Sequence, residues 1–251
     1  DITGGAQAAN SISLESAASL TISGGSLVGG DIINDGTITV GSGGTLNMGL
    51  DQISGIGDVF VNGTFTTSKS SGFSGSLNSA IANTIGSISL GSTSTIDYTS
   101  SGSQTITIEN YANLNNTGNG ARIFDNGTIG ISETFSPGSG NYTIGSSTIE
   151  FNGSSAQLVP APAVSSGGNY NSLTIDNAAG ASISGNVAIE DALTLTDGPF
   201  TTTGFTFTLL STATATARIA PITGGSIVGD VTMQRFVPAG ATNWSTIGMP
   251  V

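Results

Sequence analysis

Neither cysteine nor histidine occurs among the 251 residues. Their absence excludes Ser-His-Asp triads, cysteine nucleophiles and the common zinc sites, all of which need an imidazole or a thiolate. It also leaves the fold without disulfides, so stability has to come from a continuous core. Basic residues are nearly missing too: Lys69, Arg122, Arg218 and Arg235 stand against 16 acidic residues, a net charge of −12. Phosphate recognition relies on Lys and Arg, so nucleic acid and anionic lipid are not expected partners. Lys69 lies in Thr67-Ser68-Lys69-Ser70, without the glycine-rich strand-to-helix context of a phosphate-binding loop. No apolar run approaches the ~18 residues of a membrane-spanning helix, so membrane insertion is not expected either. With only 8% charged and 6% aromatic residues, the polar surface must be built from Ser, Thr, Asn and Gly.

What the chain does have is alternation. Ser19-Leu20-Thr21-Ile22-Ser23, Gly36-Thr37-Ile38-Thr39-Val40, Thr105-Ile106-Thr107-Ile108 and Ala192-Leu193-Thr194-Leu195 each place apolar residues at every second position. Period two puts one side of a strand into a core and its Ser/Thr side into solvent. Between such segments come Gly24-Gly25, Asn34-Asp35-Gly36, Asn62-Gly63, Asn126-Gly127, Asn152-Gly153 and Asp197-Gly198, residue types that accept turn conformations at low cost. The 38 glycines and 7 prolines fall short of the roughly 25–30% share typical of low-complexity chains, so the chain is expected to fold. Leu77, Ile81 and Ile85 have helical spacing, but Gly86 and serine-rich flanks argue against a long helix there.

Internal repetition narrows the architecture. Ser94-Thr95-Ile96-Asp97-Tyr98 returns as Ser147-Thr148-Ile149-Glu150-Phe151, and Gln104 returns as Gln157. Tyr111-Ala112-Asn113-Leu114 then returns as Tyr170-Asn171-Ser172-Leu173, with an insertion expected around Pro160–Gly168. A second echo links Ile22-Ser23-Gly24-Gly25-Ser26-Leu27-Val28-Gly29 with Ile222-Thr223-Gly224-Gly225-Ser226-Ile227-Val228-Gly229. Strand-and-turn units of roughly 20 residues are those of solenoid coils, which bury their apolar sides only by stacking. The expected fold is therefore all-β, a parallel β-helix (β-solenoid) with a β-sandwich-like element at the C-terminus; β-sandwich repeats are the alternative. Residues 1–93 are read as N-terminal coils, 94–220 as the region of two related repeats, and 221–251 as a C-terminal strand element. A chain that opens on Asp1 in place of Met is expected to have lost a leader or to be a fragment, and the C-terminal element looks cut short.

The stretch from Tyr170 through Gly180, with Ser184-Gly185-Asn186-Val187, Leu193-Thr194-Leu195-Thr196-Asp197-Gly198 and the upstream Ser155-Ala156-Gln157, resembles the repeats of large secreted surface proteins of Bacteroidota, many of them exported by the type IX route. Val231 to Pro238, with Asn243-Trp244 and Gly248-Met249-Pro250-Val251, is similar to the strand that follows those repeats. The resemblance covers about residues 94–251 and brings no catalytic residues with it. It implies an extracellular, cell-surface protein engaged in adhesion or assembly.

Candidate sites are few. Glu109, Glu133, Glu150, Glu190 and Asp191 are the carboxylates that a polysaccharide-active enzyme would have to bring together, but they are dispersed singly through alternating strands, and an enzyme is not expected. No cofactor is expected apart from calcium, for which the closely spaced Asp31, Asp35, Asp51 and Asp58 are the candidates; turn aspartates that bond their own backbone are the simpler reading. Thr-x-Thr pairs at Thr37/Thr39, Thr64/Thr66, Thr105/Thr107, Thr194/Thr196 and Thr206/Thr208 would suit an ice-binding rank only if they aligned. Glycan binding by stacking of sugar rings would need an exposed aromatic face carrying Tyr142, Tyr170 and Trp244. Val231, Met233, Phe236 and Trp244 are the candidates for subunit contact. The functional expectation is a self-assembling filament subunit of a bacterial cell surface, a homo-polymer joined head to tail. The alternative is a non-polymeric adhesin stalk or glycan-binding surface module.

Overall fold

A computed structural model describes residues 1–165 and 167–238. Within them the chain is all-β, without a helix, its parallel strands stacked as a β-solenoid of about 11 turns. Each turn passes over three faces. The first face begins with Ala6–Ala8 and continues through residues 26–28 and 45–47, Thr64–Thr67, Thr95–Tyr98, residues 113–115 and 134–136, Gln157–Val159 and Ala181–Ile183. The second begins with Ser11–Leu14 over Asp31–Asn34. The third includes residues 37–40, Asp58–Val61, Ser87–Leu90, Thr148–Phe151 and Ser172–Asp176. Every paired strand runs parallel to its neighbour, as a chain wound in one direction requires.

The corners differ in kind. From the third face to the first, Ser19–Val28, Thr37–Gly49 and Ala192–Thr201 bend without a break in the strand, and the ladder absorbs the bend as a register shift between Ile22 and Gly24. These two faces consequently form one 16-stranded sheet. The second face is set off by tight turns and falls into three separate three-stranded sheets. Gly57 shows why such corners need glycine: a Cβ there would run into the carbonyl of Gly36 on the coil below.

Breaks in the second face coincide with insertions. After Thr67 the chain makes an excursion over residues 68–86 before the third-face strand Ser87–Leu90 resumes. Ile81 pairs with Ile53, the amides of Ala80 and Ile81 donate to the carbonyls of Gly72 and Phe73, and Thr105 N–H donates to Ser70 O. The excursion is thus an additional layer of the second face, and no helix forms at Leu77–Ile85. The other break holds Pro160–Gly168, the insertion expected from the drift in the sequence repeat.

Alternation builds the interior. Leu27, Leu46, Phe65, Ile96, Leu114 and Phe135 form one continuous rank under the first face, and Ile129, Ile149, Leu173 and Leu193 form another under the third, all buried. Phe65 and Phe73 meet edge to face with centroids 5.0 Å apart, so the excursion is pinned to the core by an aromatic pair. At roughly 1.5–3 kcal/mol for each large apolar side chain buried, these ranks are the main source of stability in a chain without disulfides.

At the corners, long polar side chains turn inward and donate to backbone carbonyls. Gln104 Nε2 donates to the carbonyls of Thr67 and Lys69, and Gln157 Nε2 does the same to Ile131 and Glu133. Arg122 is fully buried, and its guanidinium donates to six backbone carbonyls and to Asn116 Oδ1. Burial lowers its pKa, and Tyr142, Asp97 and Tyr98 act in the opposite sense. The ladder crosses residue 93 without interruption, because Thr95–Tyr98 pairs with Thr64–Thr67. Residues through Pro238 continue the solenoid in place of a sandwich: Gly225–Val228 and Thr232–Met233 pair in parallel with Ala192–Thr201 and Phe207–Leu209.

Candidate functional site

The excursion at 68–86 walls one side of a cleft on the surface of the solenoid. Ser70, Ser71, Ser74, Gly75 and Ser76 form one wall of a cleft of about 540 Å³, facing Thr105, Thr107, Ile108 and Asp125. Around the corner toward the third face a second cleft of about 480 Å³ is lined by Ile108, Glu109, Asn110, Thr128, Gly130, Glu150 and Asn152. Ile108, about half exposed, lines both, so the two clefts adjoin at its side chain and together make up the groove.

Glu109 sits where the halves meet. Buried Ser74 donates its hydroxyl to Glu109 Oε1 at 2.6 Å. Removal from water raises the pKa of Glu109, and the Ser74 hydrogen bond opposes that rise in part. Below it lies a network of buried hydroxyls: Tyr98 and Tyr111 share a hydrogen bond of 2.8 Å, and Tyr111 donates to Thr107 O at 2.9 Å. On the far side, Asn152 Nδ2 donates to Glu150 Oε2 at 3.2 Å and to Asn110 Oδ1 at 3.1 Å. Asn110 and Asn152 belong to coils on either side of Gly130, and they reach one another over a residue without a side chain.

Of the five dispersed carboxylates, the structure brings Glu109 and Glu150 to this groove and leaves the others elsewhere. Glu133 lies at the bend before the first face. Glu190 Oε1 accepts from Gly168 N–H, and Asp191 pairs with Arg218. The excursion wall and Asn152 were not singled out from the sequence; the interruption of alternation by Ser68–Gly75 was the available signal.

The four aspartates considered for calcium act as ties between coils. Asp31 Oδ1 accepts from Gln52 N–H and Asp51 Oδ2 from Gly30 N–H, at 2.9 and 2.7 Å, while Asp35 Oδ1 accepts from Ile56 N–H and Asp58 Oδ1 from Ser87 Oγ. Among the described residues no group of three or more carboxylates is placed to hold a metal ion. The threonine pairs do not align, since Thr37/Thr39 lies on the third face, Thr64/Thr66 on the first and Thr105/Thr107 on the second. Tyr142 and Tyr170 are buried, their hydroxyls donating to the carbonyls of Pro137 and Pro160, so they offer no exposed aromatic face; Trp244 lies outside the described residues.

For the subunit-contact candidates, Val231 is half-buried, and Met233 and Phe236 are 53% and 43% exposed. Met233 pairs with Leu209, which continues the buried rank of Ile189, so its exposure comes from standing last in that rank among the described residues.

Fold and groove together define a three-faced parallel β-solenoid with a cleft walled by an excursion from its coils. Comparison with known protein families, curated proteins and solved structures returned no match.

Proposed function

We propose that this chain is an extracellular structural protein of a bacterial cell surface, a rigid β-solenoid whose copies stack head to tail into a filament. One observation carries the reading: the core ranks run to the terminal coils and end in apolar side chains that no described residue covers. At one end Ile219, Ile227 and Met233 extend the ranks of Leu193, Phe200 and Leu209. At the other, Ile2, Ile12 and Leu14 are half-buried, and the strand Ala6–Ala8 has a ladder partner on one side alone among the described residues. Unpaired parallel edges with apolar ends are templates for another strand. A contact joining the top of one copy to the bottom of the next does not close on itself and yields a fibre. The cell-surface placement rests on the resemblance of residues 94–251 to secreted repeat proteins, and the non-catalytic role on a sequence without His or Cys.

Negative-stain electron microscopy of the natively isolated protein, with and without chelator, tests the proposal. Unbranched filaments whose axial repeat matches one subunit are expected in both conditions. Filaments lost on chelation would make calcium part of the joint. Separate short rods in both would overturn self-assembly and leave the adhesin stalk.

A further inference from the structure

The groove described above calls for an occupant that a scaffold does not need. Most corners of this solenoid are tight turns, yet residues 68–86 depart from the coil, fold back on the second face and overhang the strand Gln104–Ile106. The excursion is fixed from below, by Phe73 against Phe65 and by the Ser74–Glu109 hydrogen bond, which is the construction of a wall, not of a slack loop.

Its lining selects a class of ligand. Glu109, Glu150 and Asp125 line the groove and no Lys or Arg does, so an anionic ligand would be repelled. The remaining polar groups are hydroxyls and amides of Ser70, Ser71, Ser76, Thr105, Asn110 and Thr128, which both donate and accept. Carboxylates accept readily from hydroxyl donors, and half-exposed Ile108 gives an aliphatic surface at the midpoint. Asn152 steadies the Glu150 carboxylate, its amide nitrogen donating to Glu150 Oε2 and to Asn110 Oδ1. Both clefts fall within the roughly 300–1,000 Å³ of small-molecule sites. They are open and adjoin at Ile108, a form suited to a chain that lies across both. Asn110 and Glu150 are two strand spacings apart across Gly130, about 9–10 Å, the scale of a pair of sugar rings.

We propose that the groove from Ser70–Ser76 across Ile108 to Glu150 and Asn152 binds an uncharged polysaccharide strand, whose hydroxyls donate to Glu109 and Glu150. This site is independent of filament formation and stands whether or not copies polymerise.

Native affinity electrophoresis of the full chain tests it, with gels containing neutral polysaccharides (mixed-linkage β-glucan, galactomannan, arabinoxylan, dextran), anionic ones (alginate, polygalacturonate) or cationic chitosan. Retardation by at least one neutral polymer and by neither anionic one is expected. Thr128→Trp, which fills the second cleft from an exposed position, is expected to weaken it at least tenfold, and Asn152→Ala by a comparable factor. Glu190→Gln, outside the groove, should leave it unchanged. If Thr128→Trp fails to fold, Glu150→Ala gives the same reading, since that carboxylate holds only Asn152. Three results would each overturn the proposal: no retardation by any neutral polymer, retardation by chitosan alone, or undiminished retardation in the groove variants.

Discussion

Replacing Arg122 with methionine removes a charge that has no carboxylate in contact with it. The guanidinium lies inside the corner between the first and second faces, 2.8 Å from Tyr98 O, 2.9 Å from Gly120 O and 3.1 Å from both Gly118 O and Ala121 O, with Nε 2.9 Å from Asn116 Oδ1. Some of these carbonyls keep another donor when Arg122 is lost, because Gly118, Gly120 and Gln104 donate their amides to Tyr98, Ser100 and Ala121. The carbonyls of Gly118 and Gly120 do not, and each shielded acceptor left alone costs about 1–3 kcal/mol. Methionine has nearly the length of arginine and no desolvation penalty, which returns part of that loss. The expected net destabilisation is about 3 kcal/mol, with about half of it for Arg122→Lys, whose single ammonium reaches fewer carbonyls. For a chain of this size that corresponds to roughly 6–12 °C in thermal midpoint. Urea titration by far-ultraviolet circular dichroism reads the loss. Hydrogen exchange localises it: amides of residues 98–124 should lose protection before those of distant coils, since solenoid coils interact with their neighbours. An Arg122→Met protein within 0.5 kcal/mol of wild type would refute the claim that the guanidinium holds this corner.

Two further outcomes follow from titrating groups. All four tyrosines, Tyr98, Tyr111, Tyr142 and Tyr170, are buried, and burial raises each phenol above its ordinary value near 10. Stability from keeping them neutral is full below about pH 10 and is lost as pH climbs toward the raised folded values; tyrosinate absorbance and loss of β-structure should therefore appear in one step, and tyrosinate forming near pH 10 in a still-folded chain would contradict this. Glu109 follows the same sign, because its folded pKa lies above the ordinary carboxylate value near 4.3. Its contribution is present below that value and lost as pH rises through the folded pKa, so the stability of Glu109→Gln relative to wild type should increase across that window. The groups facing it are Ser74, Tyr111 and, across the cleft, Glu150. Thermal midpoints from pH 3 to 7 measure the difference, and a difference independent of pH would count against desolvation of the half-buried Glu109.

Period-two alternation made the strands and the solenoid legible, because each inward residue of one coil stacks on an inward residue of the next. Corner glycines and asparagines were legible for a similar local reason: Asn34 bonds Gly36 N–H within its own turn and Asp58 O on the following coil. The groove was not. Glu109 and Glu150 line one cleft because the single coil between them is counted in space and not along the chain, and Ser74 reaches Glu109 only through an excursion whose path depends on Phe73 finding Phe65. Hydrophobic spacing at Leu77, Ile81 and Ile85 suggested a helical turn; the structure exposes Leu77 and buries Ile81 in the second face, since one sheet contact outweighs a weak local pattern. Arg122, one of four cations in a very acidic chain, had every sign of a solvated residue, and only the geometry of the corner shows otherwise.

The sequence repeat has a consequence that the coil period alone conceals. Thr95–Tyr98 lies on the first face, but its echo Thr148–Phe151 lies on the third. Gln104 opens a strand of the second face and Gln157 one of the first. Tyr111 pairs on the third face with Ile131, whereas Tyr170 bridges to Ile189 on the second. Each echo is displaced by one face in the same sense, so the repeated unit is not a whole number of coils. Such a displacement is tolerated only if the faces ask the same of the chain: an inward apolar rank, an outward polar one, and a corner whose carbonyls a long amide bridges. Gln104 and Gln157 make equivalent bonds, to Thr67 and Lys69 in one case and to Ile131 and Glu133 in the other, at corners that differ in place and not in chemistry. The echo of Ile22–Gly29 in Ile222–Gly229 behaves differently, for residues 26–28 and 226–228 both lie on the first face. One echo respects the coil and the other respects only the face and its corner. The smallest unit that specifies this fold is therefore a single face with the turn that follows it, and insertions such as residues 68–86 are accommodated where one such unit hands over to the next.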